Sequence, residues 1–147
     1  MADVYLTRRA AFCAAHRLYL PDLSDAENLT LFGKCAMPGG HGHNYEIEVT
    51  LVGQPDPRTG MVVDLKKVKE ILHERIVDRW DHQNLNSAVP ELAGVVPTAE
   101  NLAIAVWNGL AGRIPGARLH RVRLRETENN TVEYYGPDGS PAPGLEE

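Results

Sequence analysis

Two histidines, His41 and His43, stand two residues apart behind a glycine-rich turn, and a thiol, Cys35, stands just ahead of that turn. Neutral imidazole is a favoured zinc ligand. A thiol near histidines is a candidate nucleophile or base, although most free cysteines are buried packing residues. The stretch from Gly33 to Tyr45 runs into a strand pattern in which Tyr45, Ile47, Val49 and Leu51 alternate with Glu46, Glu48 and Thr50. Side chains two apart in a strand share a face, so His41 and His43 are expected beside Tyr45 and Ile47 on the apolar one. Two readings fit the pair: a metal site, or two hydrogen-bonded histidines in a glycine-rich loop.

Other residues bear on that choice. Val4, Leu6, Ala10, Phe12 and Ala14 share one parity, interrupted at Arg8, and His16 shares it too. His16 is therefore the natural third ligand at the end of an inward face. Cys13 has the opposite parity and reads as a packing residue. Three histidines without a fourth protein ligand leave zinc an open position for water or substrate. Asp81-His82 adds an imidazole able to exchange protons and a carboxylate able to orient it. With Cys35, this set suits proton abstraction and return at a carbon. The competing reading of Asp81-His82 is a helix C-terminal cap. Glu126 has the parity of Val122 and Leu124, opposite to Arg121, Arg123 and Arg125. It is either a carboxylate on the apolar face or a solvated residue past the strand end. A cupin-like site using Glu48 with the histidine pair is disfavoured, because Glu48 has the opposite parity to His43.

The 147 residues are 43% hydrophobic and 24% charged, which suits one globular domain. The formal net charge of −5 gives no basic footprint for nucleic acid. No apolar run approaches a membrane span, and the N-terminus has no basic-then-apolar signal pattern. Two cysteines without an export signal point to reduced thiols in the cytoplasm.

The elements that must position these residues follow in order. Strands are expected over 3–16 and 43–52, separated by a long polar loop with a helical turn near 25–31. Asp64 is an N-cap for a helix ending near Arg79 or Trp80, with Leu65, Val68, Leu72 and Ile76 at helical spacing. Thr98 caps a second helix over 99–111. Strands over 117–126 and 131–135 close an α+β fold: a four-stranded antiparallel sheet with two helices on one face. Such a sheet has two open edges, which joining between subunits would pair. The domain is expected to span 1–136, with 137–147 a disordered tail.

The pieces Phe12-Cys13-Ala14-Ala15-His16-Arg17-Leu18, Leu31-Phe32-Gly33-Lys34-Cys35, Gly40-His41-Gly42-His43-Asn44-Tyr45, Gly60-Met61-Val62, Asp81-His82-Gln83-Asn84-Leu85, Thr98-Ala99-Glu100-Asn101 and Glu126-Thr127 together resemble the 6-pyruvoyltetrahydropterin synthase family over about residues 4–136. The resemblance implies the T-fold, with trimers closing a barrel and two trimers stacking into a homohexamer. It implies one Zn2+ per subunit on His16, His41 and His43. Cys35 is implied as the catalytic base in a triad with Asp81 and His82, and Glu126 as the anchor of the pterin ring, with Thr98 near it. The implied activity is that of a lyase on 7,8-dihydroneopterin triphosphate, releasing triphosphate to give 6-pyruvoyltetrahydropterin for tetrahydrobiopterin synthesis. Mg2+ is expected with the triphosphate.

Arg8, Arg9, Arg17 and Lys34 are candidate partners of that anion by charge alone. The chain departs from the family at Cys13, where serine is frequent, and at Ala99, where a second threonine is frequent. The related 6-carboxytetrahydropterin synthases of the queuosine pathway share fold, metal site and substrate but also release acetaldehyde. Five residues separate Cys35 from His41, which resembles the pyruvoyl-type loop. A pterin- and zinc-binding T-fold protein without turnover is the alternative of another class.

Overall fold

Two long strands carry the histidines. Strand β1 (Val4–His16) and strand β2 (His41–Gly53) pair antiparallel over their whole length, from Val4 opposite Gly53 to His16 opposite His41. The computed structural model describes residues 2–139. A short helix, α1 (Asp25–Phe32), follows β1, and its start is a capping box. The Ser24 hydroxyl accepts from the Glu27 N–H (3.1 Å) and the Glu27 carboxylate accepts from the Ser24 N–H (3.0 Å), satisfying two donors the helix leaves over. A 3-10 turn, Gly33–Ala36, carries Cys35.

Helix α2 (Leu65–Leu72) starts at its Asp64 cap and continues without a break through a π turn, His73–Val77, into α3 (Asp78–Trp80). The expected single helix is thus present to Trp80, with an underwound turn inside it. Val68, Leu72, Ile76 and Trp80 recur every four residues and all are buried. In a regular α-helix that spacing drifts by roughly 120° over three steps. A π turn absorbs part of the drift and keeps the row on the core. Helix α4 (Ala99–Leu110) is capped by Thr98, whose hydroxyl accepts from the Asn101 N–H (3.2 Å).

The sheet is mixed and has five strands, which corrects the four-stranded antiparallel expectation. Strand β3 (Gln83–Asn84) runs parallel to β1 at Ala14 and Ala15. Strands β4 (Arg118–Arg125) and β5 (Thr131–Tyr134) complete the order β3-β1-β2-β4-β5. β3 has only two residues and both are exposed, so it leaves no alternation to read.

One core lies between sheet and helices. Phe12, Tyr45, Ile47, Val49, Val122 and Leu124 of the sheet pack with Leu72, Ile76, Trp80, Leu102, Val106 and Leu110 of the helices. The other face of the sheet carries a ladder of ion pairs: Arg9–Glu46 (3.1 Å), Arg125–Glu46 (3.3 Å) and Arg123–Glu48 (3.1 Å). Cys13 belongs to that second face and is exposed, so it is not a packing residue. Its parity opposite to Phe12 and Ala14 is the reason.

Residues 136–139, the last of the domain and the first of the expected tail, form a turn closed by Gly139 N–H donating to the Gly136 carbonyl (3.0 Å), and 140–147 of that tail lie outside the described residues. Gly136 has φ +90° and packs against the Trp107 ring, where a Cβ would collide. Gly136→Ala is therefore expected to lower stability by about 2 kcal/mol, combining backbone strain with overpacking. Urea unfolding followed by tryptophan fluorescence measures it.

Candidate metal and pterin site

The register of β1 and β2 brings three imidazoles to one end of the buried face. His16 and His41 are direct cross-strand partners, and His43 lies two residues along on the same side. Their ring centroids are 4.6, 4.8 and 5.0 Å apart. One nitrogen from each lies within 4.8 Å of the other two, and His16 Nε2 is 3.0 Å from His41 Nε2. Nitrogens bound about 2 Å from one tetrahedral ion sit roughly 3.4 Å apart, so the cluster has the dimensions of a metal site.

The donor set is prepared for a metal. His16 is 1% exposed, and its Nδ1–H donates to the Pro97 carbonyl at 2.7 Å. That bond selects the tautomer whose Nε2 lone pair is free, the usual support of a metal-bound histidine. Burial pushes the His16 pKa down from 6.5 to about 4, with His41 and His43 adding to the shift and the Pro97 bond opposing it. The imidazole is then neutral at physiological pH, as a ligand must be. Burial also lowers the pKa of His43, against the opposing pull of Glu126. His43 Nε2 is buried and makes no hydrogen bond. An orphaned polar atom is costly, and coordination would satisfy it.

Glu126 reaches this cluster. Its Oε1 is 4.0 Å from His43 Nε2, and its side chain is 18% exposed. This resolves the choice left open by the strand pattern: Glu126 sits just past the end of β4 but faces the site and not bulk water. Its N–H donates to the Asn130 carbonyl (3.0 Å), which folds the 127–130 turn back against it. Glu126 and Thr98 share the wall of a cavity of about 480 Å³ with Leu18, Ala99, Glu100 and residues 129–132. Glu100 is a second carboxylate there that the sequence did not single out. In the first turn of a helix it reads as an ordinary partner of the dipole. The Pro97 carbonyl had no sequence signal at all.

Asp81 and His82 form a pair at the end of α3. Asp81 Oδ2 is 2.9 Å from His82 Nδ1, and Asp81 Oδ1 accepts from the Cys13 N–H at 2.9 Å. These bonds, the Cys13 one foremost, hold the Asp81 carboxyl below its ordinary range. His82 adopts φ +59°, a left-handed conformation that few side chains take, while its N–H donates to the Cys13 carbonyl (2.6 Å). Strain of this kind is held by its surroundings and clusters at working sites. The pair is thus both helix terminus and candidate acid–base group. It is anchored to Cys13, whereas the Cys35 carbonyl accepts from the Leu18 N–H (2.9 Å), five residues further along the chain. The anchors tie the pair and the Cys35 segment to opposite ends of the Cys13–Leu18 stretch.

Among the four cations considered for the anion, Arg9 pairs with Glu46 on the outer face. Arg8 stands eight residues before His16, about 26 Å along an extended strand. Arg17 is committed to Ala36 and Asp25. Lys34 is exposed beside Cys35.

A family model described as 6-pyruvoyl tetrahydropterin synthase matches residues 5–137. The chain belongs to this family. It is 49% identical to the human 6-pyruvoyl tetrahydrobiopterin synthase over 131 residues, covering 89% of this chain and 90% of that protein. It is 45% identical to the Drosophila melanogaster protein of the same name, covering 90% of this chain and 80% of that one. The structure of the Caenorhabditis elegans 6-pyruvoyl tetrahydropterin synthase superposes with a TM-score of 0.86 at 42% identity, covering 92% of this chain and 97% of that chain. A Plasmodium vivax structure with a TM-score of 0.66 at 15% identity, covering 90% of this chain and 97% of that one, shares the fold.

Burial of neutral His16 links the site to stability. Its folded pKa lies below the unfolded value, so the unfolded chain binds the extra proton first. In metal-free protein, stability is expected to be full above about pH 6.5 and to fall by about 3 kcal/mol as pH drops to about 4. Denaturant titrations across that range measure the loss, and His16→Ala should remove the share of it that His16 contributes.

Proposed function

We propose that this chain is a zinc-dependent lyase that converts 7,8-dihydroneopterin triphosphate to 6-pyruvoyltetrahydropterin with release of triphosphate. The observation that carries the reading is the closure of three imidazoles with an orphaned His43 Nε2 directly beside the Glu126 carboxylate. It sets a candidate metal face beside a carboxylate that also lines a cavity. The names of the relatives support the same substrate class.

In this reading His16, His41 and His43 hold the zinc, and the metal when bound supplies Lewis-acid polarisation of the substrate. Glu126 accepts a pair of hydrogen bonds from the guanidine-like edge of the pterin. The 480 Å³ cavity beside it takes the ring, with Thr98 and Ala99 at the helix end of its wall. Thr98 spends its hydroxyl as acceptor on the helix cap, so its contact to the ring is through its oxygen's remaining capacity or its methyl group. The Cys35 thiolate takes a proton from a side-chain carbon of the substrate, and His82, oriented by Asp81, returns one. Mg2+ accompanies the triphosphate, and Lys34 is the cation nearest the thiol in sequence to meet it.

The separate anchors of Cys35 and Asp81-His82 support a triad completed between subunits. Pairing of the open sheet edges at β3 and β5 would make a closed barrel, with the charged outer face towards its lumen, and would bring one subunit's pair to its neighbour's thiol. A hexamer of two trimers fits this arrangement. We assign the enzyme to the cytoplasm on its free thiols. Among the described residues, no helix is long and apolar enough to cross a membrane.

Incubation of zinc-loaded protein with 7,8-dihydroneopterin triphosphate and magnesium, read by mass spectrometry, is expected to give the 6-pyruvoyl product without acetaldehyde. A 6-carboxy product with acetaldehyde assigns the chain to the queuosine branch instead, and no turnover favours a binding protein. Cys35→Ala and His82→Ala should each lose at least a hundredfold in kcat. Co-expressed, the two inactive variants should recover part of the activity, because some sites then combine an intact thiol with an intact pair. Absence of recovery in mixed oligomers overturns the shared triad.

A further inference from the structure

Beyond His16, β1 loses its neighbours. Its ladder with β2 ends at His16–His41, and its pairing with β3 ends at Ala15–Asn84. The next main-chain unit, Arg17, is nevertheless held from both sides by one side chain. Its N–H donates to Asn86 Oδ1 (2.7 Å), and its carbonyl accepts from Asn86 Nδ2 (2.8 Å). A carboxamide carries both a donor and an acceptor, so it imitates one rung of a sheet. Asn86 is itself held, its N–H donating to Asn84 Oδ1 at 2.9 Å.

From that fixed point the chain reaches the thiol segment twice. Leu18 N–H donates to the Cys35 carbonyl (2.9 Å), and Arg17 Nε donates to the Ala36 carbonyl (2.9 Å). The guanidinium also stacks on Tyr19, 4.1 Å from the ring centroid, and meets Asp25 of α1 at 3.2 Å. The Asp25 contact is exposed and adds little. The planar guanidinium fork makes the Nε bond and the Tyr19 contact together, a combination that the compact ammonium of lysine does not hold in one geometry. A path of hydrogen bonds and main-chain links thus runs from the 81–86 segment, which bears Asp81 and His82, through Asn86 to Arg17 and Leu18, and from these to the carbonyls of Ala36 and Cys35.

We infer that Asn86 and Arg17 are positioning residues: together they lock the 3-10 turn that presents the Cys35 thiol and tie it mechanically to the segment carrying the Asp81-His82 pair. The inference rests on the reading of Cys35 as the base. It also removes Arg17 from the anion-binding role, because its side chain is already engaged inside the protein.

The test uses zinc-loaded full-length protein with two conservative variants. Asn86→Asp keeps size and acceptor but sets a carboxylate oxygen against the Arg17 carbonyl. Arg17→Lys keeps charge and loses the Nε bond and the stack, leaving the backbone rung intact. Both are assayed for turnover of 7,8-dihydroneopterin triphosphate and for iodoacetamide modification of Cys35 against pH, read on the Cys35-bearing peptide so that Cys13 does not contribute.

Each variant is expected to lower kcat ten- to a hundredfold with KM within twofold, since a displacement of about 1 Å at a reacting group costs about that much. The Cys35 modification profile should shift by half a pH unit or more. The double variant should be no worse than the weaker single one, because both act on one device. A folded variant with wild-type kcat and an unchanged Cys35 profile overturns the inference. If Asn86→Asp does not fold, Arg17→Lys alone decides by the same criteria. Full turnover by Cys35→Ala would instead overturn the base assignment, while the modification profiles still report whether Arg17 and Asn86 set the thiol.

Discussion

The pairing register of β1 and β2 is the constraint on which the site depends. A strand repeats its faces every two residues, so the register that sets His16 opposite His41 also sets His43 on the same side. A slip of one residue would send all of β1's inward side chains, His16 included, to the charged face. The register is held by the core itself: Phe12 and Ala14 on β1 and Tyr45, Ile47 and Val49 on β2 are all buried. The same apolar side chains that stabilise the sheet therefore aim the imidazoles, and the ring of Tyr45 stacks on Phe12 one step below the cluster.

Burial then decides the chemical state of what the register assembles. Three imidazoles in a dry corner cannot all be charged, and His16 stays neutral well below physiological pH. The opposite end of the histidine is fixed by the loop leading into α4, through the Pro97 carbonyl. The residue after it, Thr98, caps α4 and borders the cavity beneath Glu126. One loop thus holds the tautomer of a ligand, starts a helix and shapes the pocket wall. Displacing that loop would disturb all three at once.

Much of this was legible in the residues, and the gaps have physical causes. The long strands showed because alternation carries through much of their thirteen residues each, and the caps at Asp64 and Thr98 showed because capping is local chemistry. The three histidines followed from parity alone. The sequence could not show β3, whose two exposed residues pair through backbone only. Nor could it show contacts made by main-chain carbonyls, such as Pro97 to His16, because every residue has one. At Cys13 an apolar residue type suggests packing while its parity points outward, and the side chain follows the parity. Arg17 attracted an anion-binding reading for its charge, yet its use is set by the shape of its planar group and by what lies within reach.

The π turn in the α2–α3 helix has the form of a one-residue insertion. Within His73–Val77 the chain carries more residues per turn than the segments on either side, and the surplus is stored without a loop. Removing one residue between Leu72 and Ile76 would let the helix close into regular α geometry. Val68, Leu72, Ile76 and Trp80 would then be spaced four, three and four residues apart, which keeps them on one face of an α-helix. The surplus is thus confined to the π turn, and the phase of the segments on either side is the same with or without it. Trp80 would stay on the core, and Asp81 and His82 would stay beside Cys13. A deletion elsewhere in the helix would instead turn everything beyond it by about 100°. Along this segment the π turn is the one place where the fold can lose a residue without losing its register.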